Sequence, residues 1–194
     1  MKSKTDINQI PKTGRIGRFA KIVEKMTDND SFIRIMQDSS RYDNLKPNET
    51  AEWWRKAVER LENEVGTDKS VTVMRTCGSK CCGNGQRETA KKMMAESSSV
   101  IDFLNKLSKY KVKDGVLEYK LIDNNTIIAK HNKCFCGQVK ESREKFQNRT
   151  YCQCSVEFNK QFFEAALGKH VDVALKQSII NGGDCCEFEV KIAN

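Results

Sequence analysis

At 194 residues, with 38% hydrophobic and 31% charged residues and two prolines, the chain can bury a sizeable core without disulfides, and its composition excludes a disordered polymer. The net charge of +8 invites a nucleic-acid reading, yet the basic residues are dispersed among acids rather than gathered in one stripe, so nucleic acid is disfavoured as a partner. No apolar run approaches the roughly 20 residues that span a bilayer, and Met1 to Gln9 is polar without a signal-like apolar core, so neither membrane insertion nor secretion is expected and the cytoplasm is the expected location.

The densest basic segment, Lys12, Arg15, Arg18, Lys21 and Lys25, reads as the solvated face of a first helix. Its inner face is Ile16, Phe19, Ala20, Val23 and Met26 after a start near Thr13, and a second short helix carries Phe32, Ile35 and Met36. Arg41 to Pro47 is a polar connection. A stronger helix then opens at Asn48 or Thr50 with the stripe Trp54, Ala57, Val58, Leu61 and Val65, and Gly66 stops it. Trp53 lies off that stripe; the Trp53-Trp54 pair either lines a pocket or, as the favoured reading, gives one core ring and one ring at a packing seam.

Val71, Val73 and Met74 lead into T-C-G-S-K-C-C-G-N-G, where a helical turn would set Cys77 and Cys81 on one face with Cys82 beside them. Gly78, Gly83 and Gly85 are read as the end of that helix. Two further helices are expected over Thr89 to Ala95 and Ser99 to Lys109, the second capped by the serines 97 to 99 and turning Val100, Leu104 and Leu107 inward. Leu117, Tyr119 and Leu121 alternate with polar residues, Asp123-Asn124-Asn125 turns, and Thr126 to Lys130 returns as the second strand of a hairpin.

His131, Cys134 and Cys136 follow, then a charged stretch, Val139 to Arg149, read as exposed. From Ser155 the residues Phe158, Phe162, Ala165 and Ala166 share one face of a helix that Gly168 ends. Val171 to Ile179 and Cys186 to Ile192 alternate as two half-buried strands. With residues 181 to 184 as the loop, Ile179 pairs with Cys186, Gln177 with Phe188, Leu175 with Val190 and Val173 with Ile192, which turns Cys186 toward the core and Cys185 away. The order, helices first and then two hairpins with a helix between them, gives an α+β class: N-terminal helices packed on an antiparallel sheet. Residues 1–66 form the helical segment and 67–194 a cysteine-rich α+β unit compact with it.

Tyr151-Cys152-Gln153-Cys154-Ser155, the aromatic helix ending in Leu167-Gly168-Lys169, the Val171 strand and Gly182-Gly183-Asp184-Cys185-Cys186-Glu187-Phe188-Glu189-Val190 carry a resemblance. They are similar to the C-terminal half of the four-vinyl-reductase-like, hydrocarbon-binding domains, and to cysteine-rich proteins of the L-2-amino-thiazoline-4-carboxylic acid hydrolase-like kind. The match covers about the last 45 residues well and the rest in outline. The resemblance implies a four-vinyl-reductase-like fold, shared with transport-particle subunits, with a zinc site beneath a pocket for a small apolar molecule. By residue, Cys186 matches the hairpin cysteine, and Cys152 and Cys154 resemble the upstream ligands. A second hairpin cysteine of aromatic-sensing relatives falls at Ser178, so that ligand is missing.

Nine cysteines, an odd number, in a reducing compartment favour metal binding or thiol chemistry over disulfides. In an extended C-x-C both sulfurs face one side, so each pair can reach one ion. The preferred ligand set is Cys134, Cys136, Cys152, Cys154 and Cys186, three or four of them binding, with Cys77, Cys81 and Cys82 as a second cluster or its completion. Glu157 or His131 is an added oxygen or nitrogen donor. Zinc is the expected metal, with iron left open.

The functional expectation is a metal-binding small-molecule binding or sensing protein, with a homodimer left open. Two rivals stand beside it: a cysteine-dependent hydrolase or redox protein using His131 or His170 as base, and a zinc-stabilised nucleic-acid binder. No G-x-S-x-G, phosphate loop or dinucleotide fingerprint speaks for an enzyme, and Gly14 and Gly17 lack the preceding strand that such a loop needs.

Overall fold

The computed structural model describes residues 9–110 and 115–193, so the polar N-terminal stretch, apart from Gln9, lies outside the described residues. Seven α-helices and four strands follow in chain order: α1 (Gly14–Met26), α2 (Asn29–Ile35), α3 (Pro47–Val65), α4 (Thr67–Cys81), α5 (Asn84–Ala95), α6 (Val100–Ser108), β1 (Leu117–Leu121), β2 (Thr126–His131), α7 (Gln153–Leu167), β3 (Val171–Gln177) and β4 (Cys186–Ile192). The class is therefore α+β. No helix among the described residues is long and apolar enough to cross a membrane.

Local chemistry explains the boundaries. The Asp28 carboxylate accepts from the Ser31 amide at 2.9 Å to start α2, and the Ser99 hydroxyl accepts from the Asp102 amide at 3.1 Å to start α6. Pro47 opens α3 and Glu49 reaches back to the Lys46 amide at 2.9 Å, so that helix begins one residue before the earliest start read from sequence. The polar connection after α2 holds a 3-10 turn, Ser39–Asn44. Gly66 and Gly168 end α3 and α7 at φ 75° and 64°, conformations that a side chain disfavours.

Gly78 corrects the reading of the cysteine-rich turn. It lies inside α4, not at its end, and it faces the backbone of Cys154 so closely that a β-carbon would stand 2.8 Å from the Cys154 α-carbon. Its missing side chain lets α4 lie directly on the start of α7. Helix breaking comes later, at Gly83, which caps α5.

The sheet is antiparallel throughout, in the order β1-β2-β4-β3. The hairpin β1–β2 forms as read, with Tyr119 opposite Ala129. In the second hairpin Val173 pairs with Val190 and Leu175 with Phe188, two residues out of the expected register. From Val171 to Leu175 the shift keeps each side chain on its expected face because the strand period is two, whereas Gln177, expected opposite Phe188, lies opposite Glu187. Its cause is local: a bulge between Leu175 and Gln177, then a 3-10 turn at Ile179–Asn181, where Ser178 O accepts from the amides of Asn181 and Gly183 at 3.1 and 2.9 Å. Ile179 therefore leaves the strand.

Two apolar cores result. One joins α1–α4 to Val139, Phe146, Tyr151, Cys152 and Ile180; the other joins α5, α6 and α7 to the sheet. Trp53 and Trp54 are both buried in the first, edge-on to one another at 5.2 Å, where the favoured reading had set one of them at a packing seam. The stretch read as exposed is anchored instead: Val139 and Phe146 are 1% and 3% exposed, and the Asn181 side-chain amide donates to Phe146 O at 2.9 Å and Asn148 O at 2.5 Å. Its many charges face outward and conceal those two apolar anchors from a reading by composition.

Candidate functional site

Helix α7 presents two faces. Val156, Asn159, Phe163 and Ala166 are buried, while Phe158 and Phe162, expected to point into the core, stack on one another with centroids 6.3 Å apart and line a cavity. The cavity holds about 660 Å³, within the range of small-molecule sites. Its walls are Met93 of α5, Leu107 of α6, Leu117 and Tyr119 of β1, His131 of β2, Phe135, and Cys186 and Phe188 of β4. The apolar side chains alternate on the strands, so one sheet face is given to this space.

Six of the nine cysteines reach the same wall. Cys134 and Cys136 arrive on the segment after β2, Cys152 and Cys154 at the start of α7, Cys186 at the first residue of β4, and Cys81 at the end of α4. The five preferred residues are thus gathered about one cavity. Among the described residues, however, no three His, Cys, Asp or Glu side chains stand close enough to hold a metal ion. The sulfurs engage other partners: the Cys136 sulfur accepts from Arg15 Nη1 at 3.0 Å and lies 3.2 Å from Tyr151 Oη, and the Cys81 sulfur lies 3.9 Å from Arg18 Nη2. Cys77 and Cys82 do not join Cys81 at the cavity, and Cys185 turns away as the alternation required. Neither Glu157 nor His170 lines the cavity.

Burial sets the charge of these groups. It pushes the Cys152 thiol up to about 12 and Cys154 and Tyr151 well above their ordinary values, so all three are neutral. Cys134 and Cys186 titrate as a pair: interaction with the neighbouring Cys134 thiol lowers Cys186 to about 7, and the same interaction raises Cys134. Burial pushes His131 down to about 4, which keeps its imidazole neutral. Its Nε2 lies 3.3 Å from Tyr119 Oη, and the rings of Phe135, Phe188 and Tyr119 surround it at 5.5, 5.9 and 6.0 Å. Ser178 is buried beside Cys152.

The sequence reading found the cysteines and His131 but missed the aromatic wall and Arg15. Phe135 between the cysteines of a C-x-C was the available signal for the former. Arg15 sits on a helix face that looked simply solvated.

No curated protein matches the chain. Among solved structures it is similar to a mutant H-NOX protein from K. algicida in the Fe(II) unliganded state, at 11% identity over 93% of this chain and 95% of that one, with a TM-score of 0.55. It also matches an H-NOX protein from S. oneidensis in the Fe(II)NO ligation state, at 12% identity over 92% and 99% of the two chains and a TM-score of 0.42. The phenol-responsive sensory domain of the transcription activator PoxR, with phenol, matches at 16% identity over 76% of each chain and a TM-score of 0.46. The first of these shows a likeness of fold and nothing of activity. A family profile matches residues 14–194, nearly the whole sequence, and the chain belongs to that family, a family of unknown function (DUF6144).

Proposed function

We propose that this protein is a small-molecule binding or sensing module that takes an apolar ligand into the cavity between α5, α7 and the sheet. The observation that carries the reading is the aromatic wall: Phe158, Phe162, Phe188, Phe135 and Tyr119 border about 660 Å³ of space that a folded chain would otherwise fill. The resemblance to four-vinyl-reductase-like domains implies a pocket for a small apolar molecule with a cysteine site beneath it, and Cys152, Cys154 and Cys186 border this cavity.

The test is equilibrium binding of a neutral, polarity-sensitive dye such as Nile red to the full chain. Saturable one-to-one binding, lost when Phe158 and Phe162 are replaced by Trp to fill the space, is expected. Absence of saturable binding to the folded wild-type chain would remove the proposal.

A second reading concerns a cofactor. The H-NOX protein similar in fold carries Fe(II), in a family that holds heme. Here the donor set fits heme in kind: a neutral imidazole, His131, and the Cys134 and Cys186 sulfurs stand on an apolar wall, with the cations Arg15 and Lys133 available to propionates. When bound, heme would supply an iron able to take up a diatomic gas. His131 would first have to release Tyr119 Oη. Titration with hemin checks this: a sharp Soret band at one equivalent, altered in His131→Ala, is the expected sign. Zinc belongs to the same proposal only if the thiols shift to converge on an ion, and elemental analysis of the purified protein decides that point.

A further inference from the structure

The cavity is one-sided in charge. Among the described residues that line it there is no Asp and no Glu, although the chain has 26 of them, and its two charged side chains are Arg15 and Lys133. Both are exposed, so the charge sits toward solvent and the rings toward the interior. Other arginines of the protein show what a carboxylate partner looks like. Arg34 meets Glu64 at 2.6 Å, and Arg55 meets Glu52 and Glu59 at 2.7 and 2.6 Å. Among the described residues neither Arg15 nor Lys133 has a carboxylate partner; Arg15 donates only to the Cys136 sulfur, a weak acceptor.

The other titratable groups of the wall do not cancel this charge. His131, Cys134, Cys152 and Cys154 are neutral, and any negative charge on Cys186 is already met by the Cys134 thiol. A guanidinium beside an apolar space offers parallel donors that match the two oxygens of a carboxylate. Rings deeper in the same space offer no acceptor and reward an apolar body.

We infer that the ligand of this cavity is an amphiphilic anion, with a carboxylate held at the mouth by Arg15 and Lys133 and an apolar body lying against Phe158, Phe162 and Phe188. The inference rests on the reading of the cavity as a ligand site, and it specifies the chemical class of that ligand.

Paired probes separate the two. The fluorescence of cis-parinaric acid and of its methyl ester, which share one apolar body and differ in charge, reports binding to the full chain. In the wild type the acid should bind about tenfold more tightly than the ester, and this preference should shrink with added salt. In the Arg15→Gln, Lys133→Gln double variant the preference should fall to about twofold or less while ester binding is unchanged. Both positions are exposed, and a far-ultraviolet dichroism spectrum checks that the fold is kept. Equal binding of acid and ester by the wild type would overturn the anion inference and leave the cavity reading intact. Binding of neither would overturn both, and a preference that survives in the double variant would overturn the assignment to Arg15 and Lys133.

Discussion

Gly78 and Cys154 touch backbone to backbone, so the join between α4 and α7 depends on the absence of a single β-carbon. Replacing Gly78 with Ala has two opposed effects. Alanine favours a helix interior by roughly 0.5–1 kcal/mol, whereas a methyl group 2.8 Å from the Cys154 α-carbon forces two helices apart at a cost of about 1–3 kcal/mol. Overpacking wins because backbone, unlike a side-chain end, cannot turn aside. Urea denaturation of Gly78→Ala should therefore show a net loss of about 1–2 kcal/mol. A variant as stable as the wild type would show that the helices do not meet there.

The Cys134 and Cys186 pair predicts selective thiol chemistry. Cys186 carries the proton less tightly than an ordinary thiol because of its interaction with the Cys134 thiol, and it lines a cavity that small reagents can enter. Iodoacetamide near pH 7, followed by mass spectrometry of peptides, should label Cys186 ahead of Cys152 and Cys154, with a midpoint of about 7. Cys134→Ala removes that interaction and should move the midpoint upward, back to the ordinary thiol value of 9.0 or beyond. First labelling at Cys152 or Cys154 would contradict the pairing.

The strand register that sets Cys186 on the inner face was legible from alternation alone, and the two-residue shift left it correct because faces repeat every two residues. Helix α7 was harder. Phe158 and Phe162 are apolar and helically spaced, which is what a core face and a cavity wall have in common, so periodicity could not tell which ring meets protein and which meets space. The gathering of Cys81 with Cys134, Cys152 and Cys186 depends on how α4, α7 and the sheet meet, and no local pattern encodes that. Val139 and Phe146 were hidden by the charged residues between them.

Stability should show a plateau bounded on both sides by buried groups. Burial lowers His131 from its ordinary 6.5 to about 4, so the unfolded chain binds the extra proton; the contribution of the neutral ring is present above 6.5 and lost as pH falls through 4. Burial raises Cys152 from its ordinary 9.0, and Tyr119 from 10.0, to about 12, so that contribution is present below about 9 and lost as pH rises toward 12. Melting temperature across pH should fall on both limbs, and His131→Phe should flatten the acid limb between 6.5 and 4. An acid limb unchanged in that variant would place its origin elsewhere.

Neighbouring rings on α7 should respond differently to the same truncation. Phe163 is fully buried, edge-on to Phe103 at 6.4 Å, Tyr119 at 6.1 Å and Phe162 at 5.7 Å, so Phe163→Ala opens a void in the second core and should cost about 3–5 kcal/mol. Phe162 already faces open space on one side, and its loss removes fewer contacts, so Phe162→Ala should cost less than half as much in urea denaturation. Binding of a neutral dye should reverse the order: truncating Phe162 removes a wall of the cavity and weakens the dye several-fold, while Phe163 touches no ligand space. If both variants lost stability equally and bound the dye alike, the division of α7 into a core face and a ligand face would fail, and with it the separation of fold from site that the cavity requires.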